Sequence, residues 1–328
     1  MSDEADALWD ELIDHEFQTF VGRATGVSEL VHYTSFVGLK GIVETEELWF
    51  SSASTTNDIE EISRGKAILE RNTAPGGPLH GVLDSIRQLA PAFWNSLSQS
   101  YRNRQFGDFF HTYISCWSEC ELSNRSHDNL TMWRGYAADG NGVAIVVDAT
   151  KLAAQGSVPS EIVMCPVFYE GEANFIVRAE AALNSYRVAM AKNLNALSRH
   201  TDLFANAFSE LCFYLALTHK HPGFASEREW RFTWSKHRNP TATGLSRYLR
   251  PVLLGDNLIE KFCFPIKSDK DVTLVELDIR DLVKSVMIGP CKDIVLKRDA
   301  VVNLLASKGF QNPGALVTYT EIPYRSLR

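Results

Sequence analysis

The residues that first invite a chemical reading lie in Ser226-Glu227-Arg228-Glu229-Trp230-Arg231-Phe232-Thr233-Trp234. The stretch alternates with a period of two. As a strand it sends Glu227, Glu229, Arg231 and Thr233 to one side and Arg228, Trp230, Phe232 and Trp234 to the other. Two carboxylates flanking an arginine, on a strand with an aromatic back, describe a charged group held against a rigid wall. The rest of the chain is expected to build a pocket in front of Glu229. A structural ion pair of Glu229 with Arg231 or Arg228 would use the same residues, and Glu227 is the weaker candidate of the two carboxylates, because exposed strand-end glutamates are common.

Other chemistries have less to work with. The histidine-rich spots are His219-x-His221, His111 and His127-Asp128, and neither His-Glu-x-x-His nor Cys-x-x-Cys spacing occurs. No metal site is therefore expected. A metal-dependent nuclease or phosphoesterase using Asp58, Glu119, His127 and Asp128 is the alternative enzyme. Gly-x-Ser-x-Gly is absent, as are Gly-x-Gly-x-x-Gly after the first strand and the Gly-x-x-x-x-Gly-Lys-Ser/Thr loop. A serine hydrolase and the standard phosphate-loop nucleotide sites thus lack support.

The elements that must carry these residues follow from the pattern. Residues 3–21 read as an amphipathic helix with Leu8, Trp9, Leu12, Ile13, Phe17 and Phe20 on one stripe. Glu29–Thr34 and Leu48–Ser52 read as strands, separated by a helix that Ser35 can cap. Helical insertions are expected at about 59–106, interrupted near Pro75-Gly76-Gly77-Pro78, and at 173–221. Phe110–Trp117 and Gly142–Val147 read as strands, the latter after the hairpin-type signal Asp139-Gly140-Asn141-Gly142. Glu161–Glu170 is expected to be a strand antiparallel to its predecessor. Further strands are expected at 245–265, 272–278, 283–289 and 315–322, with a helix at 293–307. Short antiparallel strands around helical inserts, without regular βα alternation, give an α+β class and one domain over 1–328.

Composition narrows the partners. The chain has 328 residues, 45% of them apolar, with 33 basic against 40 acidic residues and a net charge of −7. That balance disfavours coating nucleic acid or an anionic membrane and favours a small or specific ligand. The six cysteines are scattered in apolar context, as buried thiols in a reducing compartment are. No apolar run approaches the ~18 residues of a membrane span. With no signal peptide in residues 1–20, the expected location is the cytoplasm, with no membrane partner.

The order of short motifs is familiar. His32-Tyr33-Thr34, Leu48-Trp49-Phe50-Ser51-Ser52 with Asn57-Asp58, Ser115-Cys116-Trp117-Ser118-Glu119, Met132-Trp133-x-x-Tyr136-Ala137, Glu229-Trp230-Arg231, Ile288-Gly289-Pro290 and Ile322-Pro323-Tyr324-Arg325 succeed one another. This succession resembles a bacterial domain-of-unknown-function family, number twenty-nine seventy-one. It is similar, more distantly, to the ADP-ribosyltransferase fold, which implies an ADP-ribosyltransferase-like core of short, mostly antiparallel strands. Carried over by position, the resemblance sets His32 against the NAD ribose, Ser51 or Ser52 at the second strand, and Glu229 at the nicotinamide ribose. Glu227-x-Glu229 resembles the two-carboxylate pattern of arginine-modifying members. The chain has no Ser-Thr-Ser triplet, and helical segments lengthen the path from the second strand to Glu229.

What the resemblance implies is cleavage of the nicotinamide glycosidic bond of NAD, with ADP-ribose passing to a macromolecular acceptor or to water, in a toxin or phage-defence effector. A fixed carboxylate that accepts a hydrogen bond from the ribose 2′-hydroxyl stabilises the oxocarbenium-like transition state. Glu229 takes that role, with Glu227 beside it. His32, with Thr34 on the same side, would meet a ribose, and Ser51 and Ser52 a ribose or diphosphate. Trp133 and Tyr136 would wall the nicotinamide, and Arg231 would meet the pyrophosphate or steady Glu229. The ordinary alternatives are a core histidine, turn serines, a helix cap at Asn57-Asp58 and core packing of Met132-Trp133. From another class, the protein is a non-catalytic nucleotide sensor, or docks a protein partner through 173–221. The acceptor is left open among protein, nucleic acid and water.

Overall fold

The computed structural model describes residues 4–5, 7–13, 26–53, 59–91, 93–95, 97, 111–120, 128–153, 161–236, 244–254, 256–267 and 277–324, without the side chains of 59–62, 153 and 254. In chain order its strands are β1 (Glu29–Thr34), β2 (Glu47–Ser52), β3 (Thr112–Cys120), β4 (Val143–Asp148), β5 (Val163–Pro166) and β6 (Phe168–Tyr169). They are followed by β7 (His219–Lys220), β8 (Glu229–Ser235), β9 (Leu249–Leu254), β10 (Asn257–Pro265), β11 (Val283–Ile288) and β12 (Val317–Tyr319). Two compact units emerge. One comprises Met1–Arg23, Ala53–Thr112 and Pro166–Ala225; the other comprises Ala24–Ser52, Tyr113–Cys165 and Ser226–Arg328.

The second unit holds a ten-stranded sheet in the order β12-β11-β4-β1-β3-β2-β10-β9, with β8 paired to β3 and β5 paired to β8. β1 is antiparallel to β3 and β4, β10 to β2 and β9, β11 to β4, and β2 to β3; β11 and β12 run parallel. This mostly antiparallel, open sheet accompanied by helices is an α+β arrangement. Central β4, Val-Ala-Ile-Val-Val-Asp, is buried over its first five residues, as a strand covered on both faces must be. Ser35 caps the Phe36–Thr45 helix by accepting from Gly38 N at 3.1 Å. Glu46 ends it in the left-handed region, φ 55°.

Apolar packing occupies both faces of the sheet. One core gathers Leu30, Trp117, Trp230, Phe232, Trp234 and Phe262 with the Phe36–Thr45 and Ile294–Ser307 helices. A smaller one sets Val31, Tyr33, Ala144 and Val146 against Met132 and Trp133 of the Leu130–Tyr136 helix. Trp234 stacks on Phe262 with centroids 4.3 Å apart and planes at 11°.

In the first unit the Ile59–Thr73, His80–Leu89, Glu172–Lys192 and Thr201–Leu217 helices share a core with Leu8, Leu12 and Ile13 of the N-terminal stretch. Both expected helical insertions fall in this unit. Phe17 and Phe20 of the expected stripe lie outside the described residues, as do 92, 96 and 98–106 of the first insertion and 272–276 of the strand expected at 272–278.

Three local expectations are corrected. The Asp139–Gly142 signal does not join two strands. It turns the Leu130–Tyr136 helix into β4, with Ala138, Asp139 and Gly140 at φ 50°, 54° and 83°, and Gly140 N donating to Trp133 O at 2.8 Å. Glu161–Glu170 is not one strand against β4. Pro166, which has no N–H to give a ladder, ends β5, which pairs with β8, and the chain continues into β6, parallel to β7. The final strand begins later, because Pro313 opens the Pro313–Leu316 helix and only Val317–Tyr319 extends.

Candidate functional site

β3 has three strand partners and two edges, so two partners share an edge. β1 engages Ser118–Cys120, and β2 engages Tyr113 and Ile114. β8 follows the length of β3: Glu119 N donates to Arg228 O at 2.8 Å, Trp117 meets Phe232 at 6.0 Å, and Tyr113 meets Trp234 at 5.8 Å. β1 and β2 therefore leave one edge of β3 and diverge, with residues 115–117 between them. His32 stands at this split. Its Nδ1 donates to Cys116 O at 3.0 Å, and its ring lies 5.0 Å from Trp117. Burial pushes the imidazole pKa below its ordinary value, the Cys116 carbonyl pulls it up, and the Lys261 charge adds to the lowering.

The sheet sorts the candidates by face. Trp230, Phe232 and Trp234 join Trp117 and Leu30 in the larger core. His32 alternates with Leu30 and touches Trp117, so it belongs to that face, and Thr34 with it. A Cβ on Gly38 would lie 2.1 Å from Thr34 Oγ1, so the Thr34 hydroxyl packs against the first turn of the Phe36–Thr45 helix. Ser52, opposite Tyr113 and in step with Phe50, is buried on the same face.

Glu229, Arg231 and Ser51 project from the other face. The expected grouping of His32 with Ser51 and Glu229 on one wall is thus not what the register produces: carboxylate and hydroxyl share a face, and the imidazole stands behind them. Arg231 donates to Glu229 twice, Nε to Oε1 at 2.8 Å and Nη2 to Oε2 at 3.2 Å, and the two residues are 1% and 7% exposed. Buried ion pairs survive only with such geometry.

Glu227 departs from the expected strand. It closes the 3-10 turn Pro222–Glu227, and Arg228, at φ 46°, breaks the alternation before β8 begins. Buried Glu227 accepts from Tyr136 Oη at 2.8 Å, while Arg228 Nη2 reaches Glu119 Oε1 at 2.9 Å. Tyr136 remains exposed. Trp133 is fully buried, edge-on to Tyr33 at 5.1 Å, with Nε1 donating to Asp128 at 2.8 Å.

A residue that sequence reasoning passed over completes the polar face. Lys261 of β10 lies directly opposite Ser51 of β2 and opposite Arg250 of β9. Its Nζ donates to Ser51 Oγ at 2.9 Å, although the residue is only 8% exposed. Burial lowers its pKa, with Cys263 opposing. Among the described residues no carboxylate pairs with it. The signal was a charge at the head of the apolar run Phe262-Cys263-Phe264, directly after Glu260.

The residues proposed for a metal are spoken for or undescribed. Glu119 is tied to Arg228, and Asp128 accepts from Trp133, from Thr320 Oγ1 at 2.5 Å and from Glu321 N at 3.3 Å. Asp58 and His127 lie outside the described residues. Among the described residues no group of three His, Cys, Asp or Glu side chains is placed to hold a metal ion. No helix among them is long and apolar enough to cross a membrane.

No curated protein and no solved structure matches the chain. A family model described as "Protein of unknown function (DUF2971)" matches residues 132–232, which carry Trp133, Tyr136, Glu227, Glu229 and Arg231 but not His32, Ser51 or Lys261. From the Leu130–Tyr136 helix into β8, this chain is similar to that family.

Proposed function

We propose that the protein binds NAD and breaks its nicotinamide–ribose bond, passing ADP-ribose to a macromolecule or to water. The observation that carries this reading is the Glu229 carboxylate, fixed by two bonds from Arg231 on the sheet face that also bears Ser51. A carboxylate held in one orientation needs no reorganisation when positive charge grows on a ribose, and that preorganisation is what stabilises an oxocarbenium-like state. Tyr136 is 45% exposed, and its bond to Glu227 orients it as one wall for a flat cationic ring. His32 acts at a distance from the ligand, holding the β3 carbonyl where β1 and β2 part.

The test is nicotinamide release from NAD, with and without a lysate as source of acceptor. Glu229→Asp keeps the charge opposite Arg231 and withdraws the carboxylate by one methylene. This variant is expected to stay folded by circular dichroism and to lose about a hundredfold or more in rate, the scale of a misplaced catalytic group. Release that is equal in wild type and Glu229→Asp overturns the reading.

The tight Glu229–Arg231 lock also favours a second reading, a nucleotide sensor without turnover. It predicts saturable NAD binding, no nicotinamide release in any lysate, and binding that survives Glu229→Asp.

A further inference from the structure

One rung of the sheet carries a positive charge that no carboxylate among the described residues neutralises. Arg250, Lys261 and Ser51 sit directly opposite one another on β9, β10 and β2 and share a face. Arg250 is balanced by Glu47: its Nη1 donates to Oε1 at 2.9 Å, and its Nη2 meets Oε2. Glu47 also accepts from Trp49 Nε1 at 3.1 Å, so that carboxylate is fully engaged. Lys261 has Ser51 as its hydrogen-bond partner and no carboxylate among the described residues. Its neighbours Cys263 and His32 supply no fixed negative charge.

A lysine buried without a counter-ion costs stability unless something anionic completes it. An ammonium has three N–H donors, of which Ser51 takes one, and the Ser51 hydroxyl keeps its own proton to donate. Ser51 and the adjacent Cys116 are half-buried, so the hydroxyl end of the pair is the open end. A point charge beside a hydroxyl donor, with a guanidinium one strand further on, is chemistry suited to phosphate oxygens.

We propose that the Lys261–Ser51 pair, with Arg250 behind it, is the diphosphate subsite of a nucleotide ligand. That the nucleotide is NAD rests on the reading above; the subsite itself needs neither the nicotinamide nor Glu229.

The two are separated by titrating wild type and variants with ADP, inorganic pyrophosphate and adenosine in a calorimeter. Wild type is expected to bind ADP and pyrophosphate. Lys261→Met keeps the apolar stem and removes the charge. It is expected to weaken both ligands by about tenfold to a hundredfold, the worth of a charged hydrogen bond, and to leave any adenosine binding unchanged. Ser51→Ala is expected to weaken ADP by a smaller factor. The same Lys261→Met protein is expected to melt at or above the wild-type temperature, because a lysine kept for a ligand weighs on the empty fold. Lys261→Met that is less stable than wild type yet binds ADP equally makes the lysine a structural cross-strand partner and overturns the proposal. So does wild type that binds neither ADP nor pyrophosphate at millimolar concentration. Nicotinamide release can fail while ADP binding and its Lys261 dependence persist, which would remove the NAD chemistry and keep the subsite.

Discussion

Arg231 and Glu229 face each other two residues apart on the same side of β8, joined through Nε–Oε1 and Nη2–Oε2, and both are withdrawn from solvent. Removing one member takes a buried charge partner from the other, which typically costs about 3–5 kcal/mol, whereas replacing both by apolar groups of similar volume is often neutral. Glu229→Leu and Arg231→Met are each expected to lower stability by roughly that amount, and the double variant by clearly less than the sum. Urea unfolding of the four proteins measures the coupling. Additive losses would mean that the two side chains are held by other partners and not by each other.

His32 makes the fold sensitive to mild acid. Burial holds its folded pKa below the 6.5 of a free imidazole. Between the two values the unfolded chain binds more protons than the folded one. Stability is therefore full above pH 6.5, falls as the pH drops below it, and levels off once the folded pKa is passed. Each unit of separation is worth about 1.4 kcal/mol. His32→Gln, which can still donate to the Cys116 carbonyl but does not titrate, is expected to flatten this part of the profile. The check is urea midpoints at pH 7.5, 6.5, 5.5 and 5.0; parallel curves for the two proteins would remove His32 as the cause.

What the sequence disclosed and what it withheld follow a physical division. The period-two pattern around Glu229 was readable because a strand's side chains alternate whatever lies beside it, and the aromatic half did turn to the core. The break at Arg228 was not readable, since a left-handed φ at a non-glycine residue is set by surroundings. Whether His32 and Glu229 share a face depends on the register of β1 on β3 and of β3 on β8. Register is fixed by pairing partners far apart in the chain, and a slip of one residue reverses the answer. Lys261 meets Ser51 across 210 positions for the same reason. Periodicity marked each strand and left the rungs between them unwritten.

Two glycines hold the turn before β4 against its neighbours. A Cβ on Gly142 would lie 2.3 Å from Thr34 O and 2.8 Å from Ala137 O, and one on Gly289 would lie 2.4 Å from Gly140 O. Gly289 N also donates to Gly142 O at 2.9 Å, so backbone meets backbone with nothing flexible to move aside. Gly142→Ala and Gly289→Ala are each expected to cost about 1–3 kcal/mol or more, as overpacking does. Gly135 in the Leu130–Tyr136 helix has no atom within 4 Å of its would-be Cβ. Gly135→Ala is therefore expected to be neutral or stabilising by up to about 1 kcal/mol. Thermal melts of the three variants decide it, and equal losses at all three would contradict the close-approach argument.

The helical unit has its own acid limit at Glu170. Burial alone would raise this carboxyl, but the nearby His219 ring, its Nδ1 3.9 Å from Oε1, and the Arg178 guanidinium outweigh it and hold the pKa below the usual carboxylate value. Arg178 donates Nε to Glu170 Oε1 at 2.8 Å and lies over the Phe168 ring at 4.3 Å, so the guanidinium is fixed from two sides. A depressed folded pKa contributes stability that is present above the unfolded carboxyl pKa and is lost as pH falls through the folded one. Glu170→Gln is expected to be less stable than wild type at pH 7, with the gap narrowing below about pH 4.3, where the unfolded carboxyl begins to protonate. Unfolding followed at pH 7, 4.5 and 3.5 checks both halves of that statement. A gap that stays constant down to pH 3.5 would show that the glutamate stabilises through its shape and not through its charge.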